Sequence, residues 1–145
     1  MNQANQSVDK LNEFLRGEIS AVETYRQALE KITSGAARVQ LEQCRRSHED
    51  RVSLLRQSIV NIGGEPAATS GAWGSFAKLT EGGAKVFGEK AAIAALEEGE
   101  DHGLKLYRGD IETLEPSARQ LVVSDLLPAQ ERTHRALSEL KHGLH

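Results

Sequence analysis

From Leu11 to Ile32 the apolar residues advance by fours and threes: Leu11, Leu15, Val22, Tyr25, Leu29 and Ile32, with Glu18 in the same series. That spacing lays all seven along one face of a helix, and the Asn, Arg, Glu, Gln and Lys residues between them form a solvated face. Thr33-Ser34-Gly35 ends the segment, and Ser34 is placed to cap the next. The period returns with Leu41, Cys44, His48, Val52, Leu55, Ile59 and Ile62, and stops at Gly63-Gly64-Glu65-Pro66. A turn this short between two long helices makes them antiparallel.

A third series runs Ile93, Leu96, Glu100, Leu104, Tyr107, Ile111, Leu114, and a fourth Leu121, Leu127, Glu131, His134, Leu137. Glu115-Pro116 separates them, proline being suited to a first helical position. Pro128 lies inside the fourth segment, removes one backbone donor and is expected to kink it. Between the two pairs, residues 63–88 are glycine-rich and carry the one tryptophan, Trp73. Bundle connections usually run about two to eight residues, so a segment of this length predicts a crossover along the bundle. Gly74 to Leu79 is expected to form a short helix within it, with Trp73 pinning it down. The pattern predicts one all-helical domain over 1–145, built of two αα-hairpins. Its helices are expected at about 7–33, 35–62, 89–114 and 117–142.

Composition narrows the function. The 145 residues carry 18 Lys plus Arg against 21 Asp plus Glu, which lacks the basic excess of a nucleic-acid binder. No apolar run approaches a membrane span, and the first residues have neither the basic nor the apolar region of a signal peptide. A cytoplasmic protein is expected. Cys44, the single cysteine, permits no intramolecular disulfide and fits a small buried hydrophobe. There is no glycine-rich phosphate loop and no nucleophile motif.

An internal repeat brings in the chemistry. Gly17-Glu18 with Tyr25-Arg26 matches Gly99-Glu100 with Tyr107-Arg108. In the second arms, Leu41, Arg46 and His48 match Leu127, Arg132 and His134. The match predicts two hairpins related by an approximate two-fold axis. It places Glu18, Glu100, His48 and His134 on core-facing stripes, within roughly 6 Å of one level by helical rise. Ionised carboxylates are not buried unpaired, so a partner is required. A metal ion is one answer; a hydrogen-bonded polar layer that fixes helix register is another.

Leu11-Asn12-Glu13-Phe14-Leu15, Gly63-Gly64-Glu65-Pro66 and Gly99-Glu100-Asp101 with Tyr107 resemble a bacterial family of four-helix-bundle proteins described as a domain of unknown function. More widely, nearly the whole chain is similar to the ferritin-like superfamily, in which two helices each give a Glu and two each give Glu-x-x-His. The resemblance implies Glu18, His48, Glu100, Glu131 and His134 as ligands for one or two ions of iron, manganese or zinc. With two irons it implies oxidation of ferrous iron, a ferroxidase- or peroxidase-like activity. Arg45 stands where the sixth ligand is expected, and is able to pair with Glu18 or Glu131 and supply the positive charge itself. Glu97 is a spare ligand one turn before Glu100. Tyr25 and Tyr107 share the stripe, either packed with their hydroxyls paired or serving as neighbours of a metal. Gly17 and Gly99 are read as points of close helix approach, within the bundle or across a homo-dimer or larger homo-oligomer. The second expectation is a metal-free bundle, structural or associative in function, with a buried layer of Arg, carboxylate and His.

Overall fold

The computed structural model describes residues 3–71, 88–109 and 111–143. It contains α1 (Gln3–Leu29), α2 (Gly35–Asn61), α3 (Glu89–Tyr107) and a fourth arm in three pieces. That arm is α4 (Pro116–Leu121), a π-helical stretch (Val122–Leu126) and α5 (Leu127–His142). Among the described residues there is no strand, and the architecture is the four-helix bundle that the periodicity predicts.

Cross-helix contacts give the directions. Tyr25 of α1 reaches Glu100 of α3 while Tyr107 reaches Glu18, so these helices are antiparallel. Arg26 pairs with Glu49, and Glu18 with Arg51, which makes α1 and α2 antiparallel too. Glu97 meets Lys141 and Arg108 meets Glu131 across α3 and α5. The order is therefore up, down, down, up, so the end of α2 and the start of α3, which the connection joins, lie at opposite ends of the bundle. Asn12 holds the start of that connection, accepting from the Ala67 N–H at 2.7 Å and donating to the Glu65 carbonyl at 2.9 Å. Trp73 and the short helix expected at Gly74 to Leu79 lie outside the described residues.

The first three stripes pack as predicted. Every residue of the first series is buried, as are all but Ile62 of the second and all but Ile111 of the third. The ends differ. α1 stops at Leu29, with Ile32 buried in the turn, and Ser34 makes no side-chain cap bond to α2. α3 stops at Tyr107 with Arg108 as its C-cap; the Arg108 and Gly109 amides close on the Leu104 and Leu106 carbonyls. Gly63, with φ of 87°, supplies the left-handed residue after α2.

Of the stripe read from the sequence the fourth arm buries only Leu137. Its core face is Ala118, Val122, Leu126, Gln130, Thr133 and Leu137. Glu131 and His134 each sit one residue beyond that face. The π-helical stretch is the cause. Leu127 donates to the carbonyl of Val122, five residues back, and one extra residue enters the turn. Pro128 follows at once; its ring would crowd the carbonyl four residues back in an α-helix, and the wider turn relieves this.

The insertion also corrects the repeat. Ala37 and Leu41 correspond to Ala118 and Val122 at an offset of 81. After the extra residue, Cys44, His48, Arg51 and Leu55 correspond to Leu126, Gln130, Thr133 and Leu137 at 82. All eight are buried. The offset of 82 is also that of Glu18 to Glu100 and Tyr25 to Tyr107. Matching His48 to His134 shifted the fourth arm by about one turn.

Candidate functional site: a buried ion layer

The core is divided in two. One apolar cluster is centred on Leu11, Phe14, Leu55, Ile59, Val122 and Leu126, and the other on Leu29, Leu41, Ile93, Leu96 and Leu137. Between them lie the buried polar residues Glu18, His48, Arg51, Glu100, Gln130 and Thr133. Each helix places its share by the same stripe that buries its leucines.

His48 is the centre, at 2 % exposure. Its Nδ1 is 2.5 Å from Glu18 Oε1 and its Nε2 is 2.6 Å from Glu100 Oε2. A neutral imidazole carries one N–H. Two carboxylates can both be served only by the imidazolium. Tyr107 donates to Glu18 Oε2, and Tyr25 donates to Glu100 Oε2 at 2.5 Å. Each tyrosine thus serves the glutamate of the other repeat, and a continuous chain runs Tyr107, Glu18, His48, Glu100, Tyr25.

Arg51, 1 % exposed, completes the charges. Its Nη1 donates to Glu18 Oε2 at 3.4 Å and to the side-chain oxygen of Gln130, and its Nη2 donates to Ser47 Oγ and Thr133 Oγ1, both at 3.0 Å. Gln130 Nε2 and Thr133 Oγ1 donate onward to Glu100 Oε1 at 2.9 and 2.7 Å. Two carboxylates, one imidazolium and one guanidinium sum to zero, and all four carboxylate oxygens are bonded.

The electrostatics follow. Burial alone would raise the Glu18 carboxyl, but the charges of Arg51 and His48 and bonds from His48 and Tyr107 outweigh it and bring it to about 2. Glu100 is lowered against the same burial penalty, chiefly by His48. For His48, burial and Arg51 favour the neutral ring, yet Glu100 and Glu18 prevail and its pKa is raised. Burial and the adjacent glutamates keep both tyrosines protonated well past their usual range. Burial, then Glu100, pushes the Cys44 thiol to about 12, which leaves it inert.

The sign of the pH dependence is fixed by these directions. The His48 contribution is complete below its usual value of 6.5 and is lost as pH rises through its raised folded value. The Glu18 contribution is complete above its usual value of 4.5 and is lost as pH falls towards about 2. Thermal unfolding is therefore expected at a higher temperature near about pH 5.5 than near about pH 9 or about pH 3. Scans across that range check it; a midpoint that rises steadily to about pH 9 would contradict it.

Small residues make room for the layer. Gly17, Ala21 and Gly99 line two cavities of about 30 and 20 Å³, one towards Glu18 and Tyr107 and one towards Tyr25 and Glu100. Gly103 is a tight position beside the layer. A Cβ there would lie 2.7 Å from Gln130 Nε2, an atom already held by Glu100. Gly103→Ala is expected to cost about 1–3 kcal/mol, the usual toll of overpacking. Gly35→Ala, where nothing lies within 4 Å, is the control and should cost nothing. Equal urea midpoints for the two variants would contradict this.

Of the residues expected in the site, the structure brings together Glu18, His48, Glu100, Tyr25 and Tyr107. The other four lie on outer faces. Glu131 pairs with Arg108 at 3.1 Å, and His134 with Asp101 at 2.6 Å. Arg45 pairs with Glu49 at 2.8 Å, so the counter-charge is Arg51 instead. Glu97 accepts from Ser138 and Lys141, each at 3.1 Å. The ligand set that the resemblance implies does not converge, and the donor chemistry differs from it. Both nitrogens of His48 are spent on carboxylates at opposite edges of its ring. Among the described residues no group of three or more His, Cys, Asp or Glu is arranged to hold a metal ion.

Sequence reasoning missed Arg51, Gln130 and Thr133. Arg51 lies three residues after His48 and four before Leu55, on the core stripe. Gln130 and Thr133 interrupt an apolar series between Leu126 and Leu137, and the offset of 82 carries His48 and Arg51 onto them.

Fold and site define a four-helix bundle with a neutral ion layer at mid-height. Residues 6–113 match the family described as Domain of unknown function (DUF2383), and the chain belongs to that family. The matched span holds Glu18, Tyr25, His48, Arg51, Glu100 and Tyr107; Gln130 and Thr133 lie beyond it. No curated protein and no solved structure matches the chain.

Proposed function

We propose that this chain is a metal-free helical module in which the buried layer fixes the register of the four arms. It works in the cytoplasm by association, with a second copy or another protein, and not by turnover. One observation carries the reading: the layer is closed on itself, neutral and fully bonded at both carboxylates, with Arg51 as its second cation. Sliding any helix by one turn would set an ion against one of the two apolar clusters, at several kcal/mol. The outer surface supports the associative part, with Val39, Val60 and Val123 each more than half exposed.

The likeness to ferritin-like bundles draws support from the up, down, down, up order of the four arms. It does not bring the ligand set with it. The test is metal analysis by mass spectrometry on untagged protein, before and after anaerobic loading with ferrous iron, manganese or zinc. The expected result is no stoichiometric retention. One or two equivalents retained by the wild type, and lost in Glu100→Ala, would overturn the proposal in favour of a metal centre. Sedimentation at increasing concentration tests association; a chain that stays monomeric and captures no partner would remove that half.

A further inference from the structure

We infer that the Arg51 guanidinium is the built-in occupant of a four-oxygen cation site, and that the site is shaped for the paired NH2 groups of an amidinium or guanidinium ion. The inference rests on the metal-free reading of the layer and deepens it.

The four Nη hydrogens of Arg51 meet four oxygen acceptors of three chemical kinds. These are the carboxylate of Glu18, the amide oxygen of Gln130, and the hydroxyls of Ser47 and Thr133. Nε is different. It is buried and has no partner, so the cage recognises the far edge of the guanidinium and not the join to the side chain. The acceptors come from α1, α2 and α5, and two of them are held from behind. Gln130 Nε2 bonds the Glu100 carbonyl and carboxylate, both at 2.9 Å, and Thr133 donates to Glu100 Oε1. The cage therefore does not depend on the arginine alone for its shape.

Charge sets the valence of the occupant. Without Arg51, two carboxylates face one imidazolium, and the layer is left with a single negative charge. A monovalent cation restores neutrality, whereas a divalent ion leaves an uncompensated positive charge in the core. Planar cations with two NH2 groups satisfy four acceptors in directions that a spherical ion does not need.

The experiment is chemical rescue in the full chain. Arg51→Ala should melt well below the wild type. Guanidinium chloride at low millimolar concentration, far below denaturing levels, should raise its midpoint more than sodium chloride or calcium chloride at equal ionic strength. The wild type should show no such gain. If Arg51→Ala is unfolded on its own, regain of helical circular dichroism on adding guanidinium is the same readout. Failure of guanidinium to exceed sodium in either form would overturn the inference, and so would better rescue by calcium. Adding Gln130→Leu to Arg51→Ala should weaken the rescue at least about tenfold in half-effective concentration; an unchanged concentration would also count against it. Metal retained by the wild type would sink the proposed function, whereas failed rescue in the variant sinks only this inference.

Discussion

Exchange of His48 for leucine is expected to lower the stability of the bundle by about 3–5 kcal/mol, the usual cost of stripping a buried ion of its partner. Leucine fills much of the same space, so the loss is electrostatic before it is steric. Glu18 and Glu100 would keep their tyrosine bonds but lose the cation between them. Arg51 does not replace it, since it reaches Glu18 at 3.4 Å and Glu100 only through Gln130 and Thr133. His134→Leu is the paired control. That ring lies at the outer face against Asp101, with a quarter of its side chain exposed, and its loss should stay within about 0.5 kcal/mol. Urea unfolding followed by circular dichroism measures both. Comparable costs for the two histidines would mean that the fourth arm is set in the other register.

Glu100→Leu is expected to be as severe, again about 3–5 kcal/mol, for the opposite reason. It removes acceptors from donors that stay: the Nε2 proton of His48 and the Tyr25 hydroxyl lose theirs outright, while the Gln130 amide keeps only the backbone carbonyl of residue 100 and the Thr133 hydroxyl only the Ala129 and Gln130 carbonyls. Each orphaned buried donor carries a penalty of about 1–3 kcal/mol before relaxation. Glu131→Leu removes only a surface pair with Arg108 and should fall within about 0.5 kcal/mol. A large loss in Glu131→Leu with a small one in Glu100→Leu would reverse the assignment of the core carboxylate.

What could be read in the chain followed the regularity of each helix. Three arms keep an unbroken α-helical period, and in these the stripes named Glu18, Tyr25, His48, Glu100 and Tyr107 correctly as core residues. The fourth breaks the period. Its Leu121-Val122-Val123 and Leu126-Leu127 runs offer two apolar faces one residue apart. The choice between them depends on a π-helical turn that no residue spacing announces. Choosing the Leu121 and Leu127 face brought Glu131 and His134 inward and left Gln130 and Thr133 outside. Arg51 went unread for another reason. A long cationic side chain on a core stripe is ordinarily taken to reach for solvent, and here it is held inward by four acceptors. Arg45 was favoured by its position three residues before His48, although its helical neighbour Glu49 holds it at the surface. The sequence offers a buried layer of Arg, carboxylate and His beside a metal and points to Arg45 for it, whereas the arginine that reaches Glu18 is Arg51.

The protonation of His48 decides whether the layer is a closed set of ions. Nitrogen-15 NMR of histidine-labelled protein, recorded near about pH 7.5 where an ordinary histidine is neutral, distinguishes protonated, unprotonated and metal-bound ring nitrogens. One histidine, absent from the spectrum of His48→Leu, is expected to carry protons on both nitrogens, each bonded to a carboxylate. A single protonated nitrogen at that position, or one shifted by a bound metal ion, would contradict a closed ion layer.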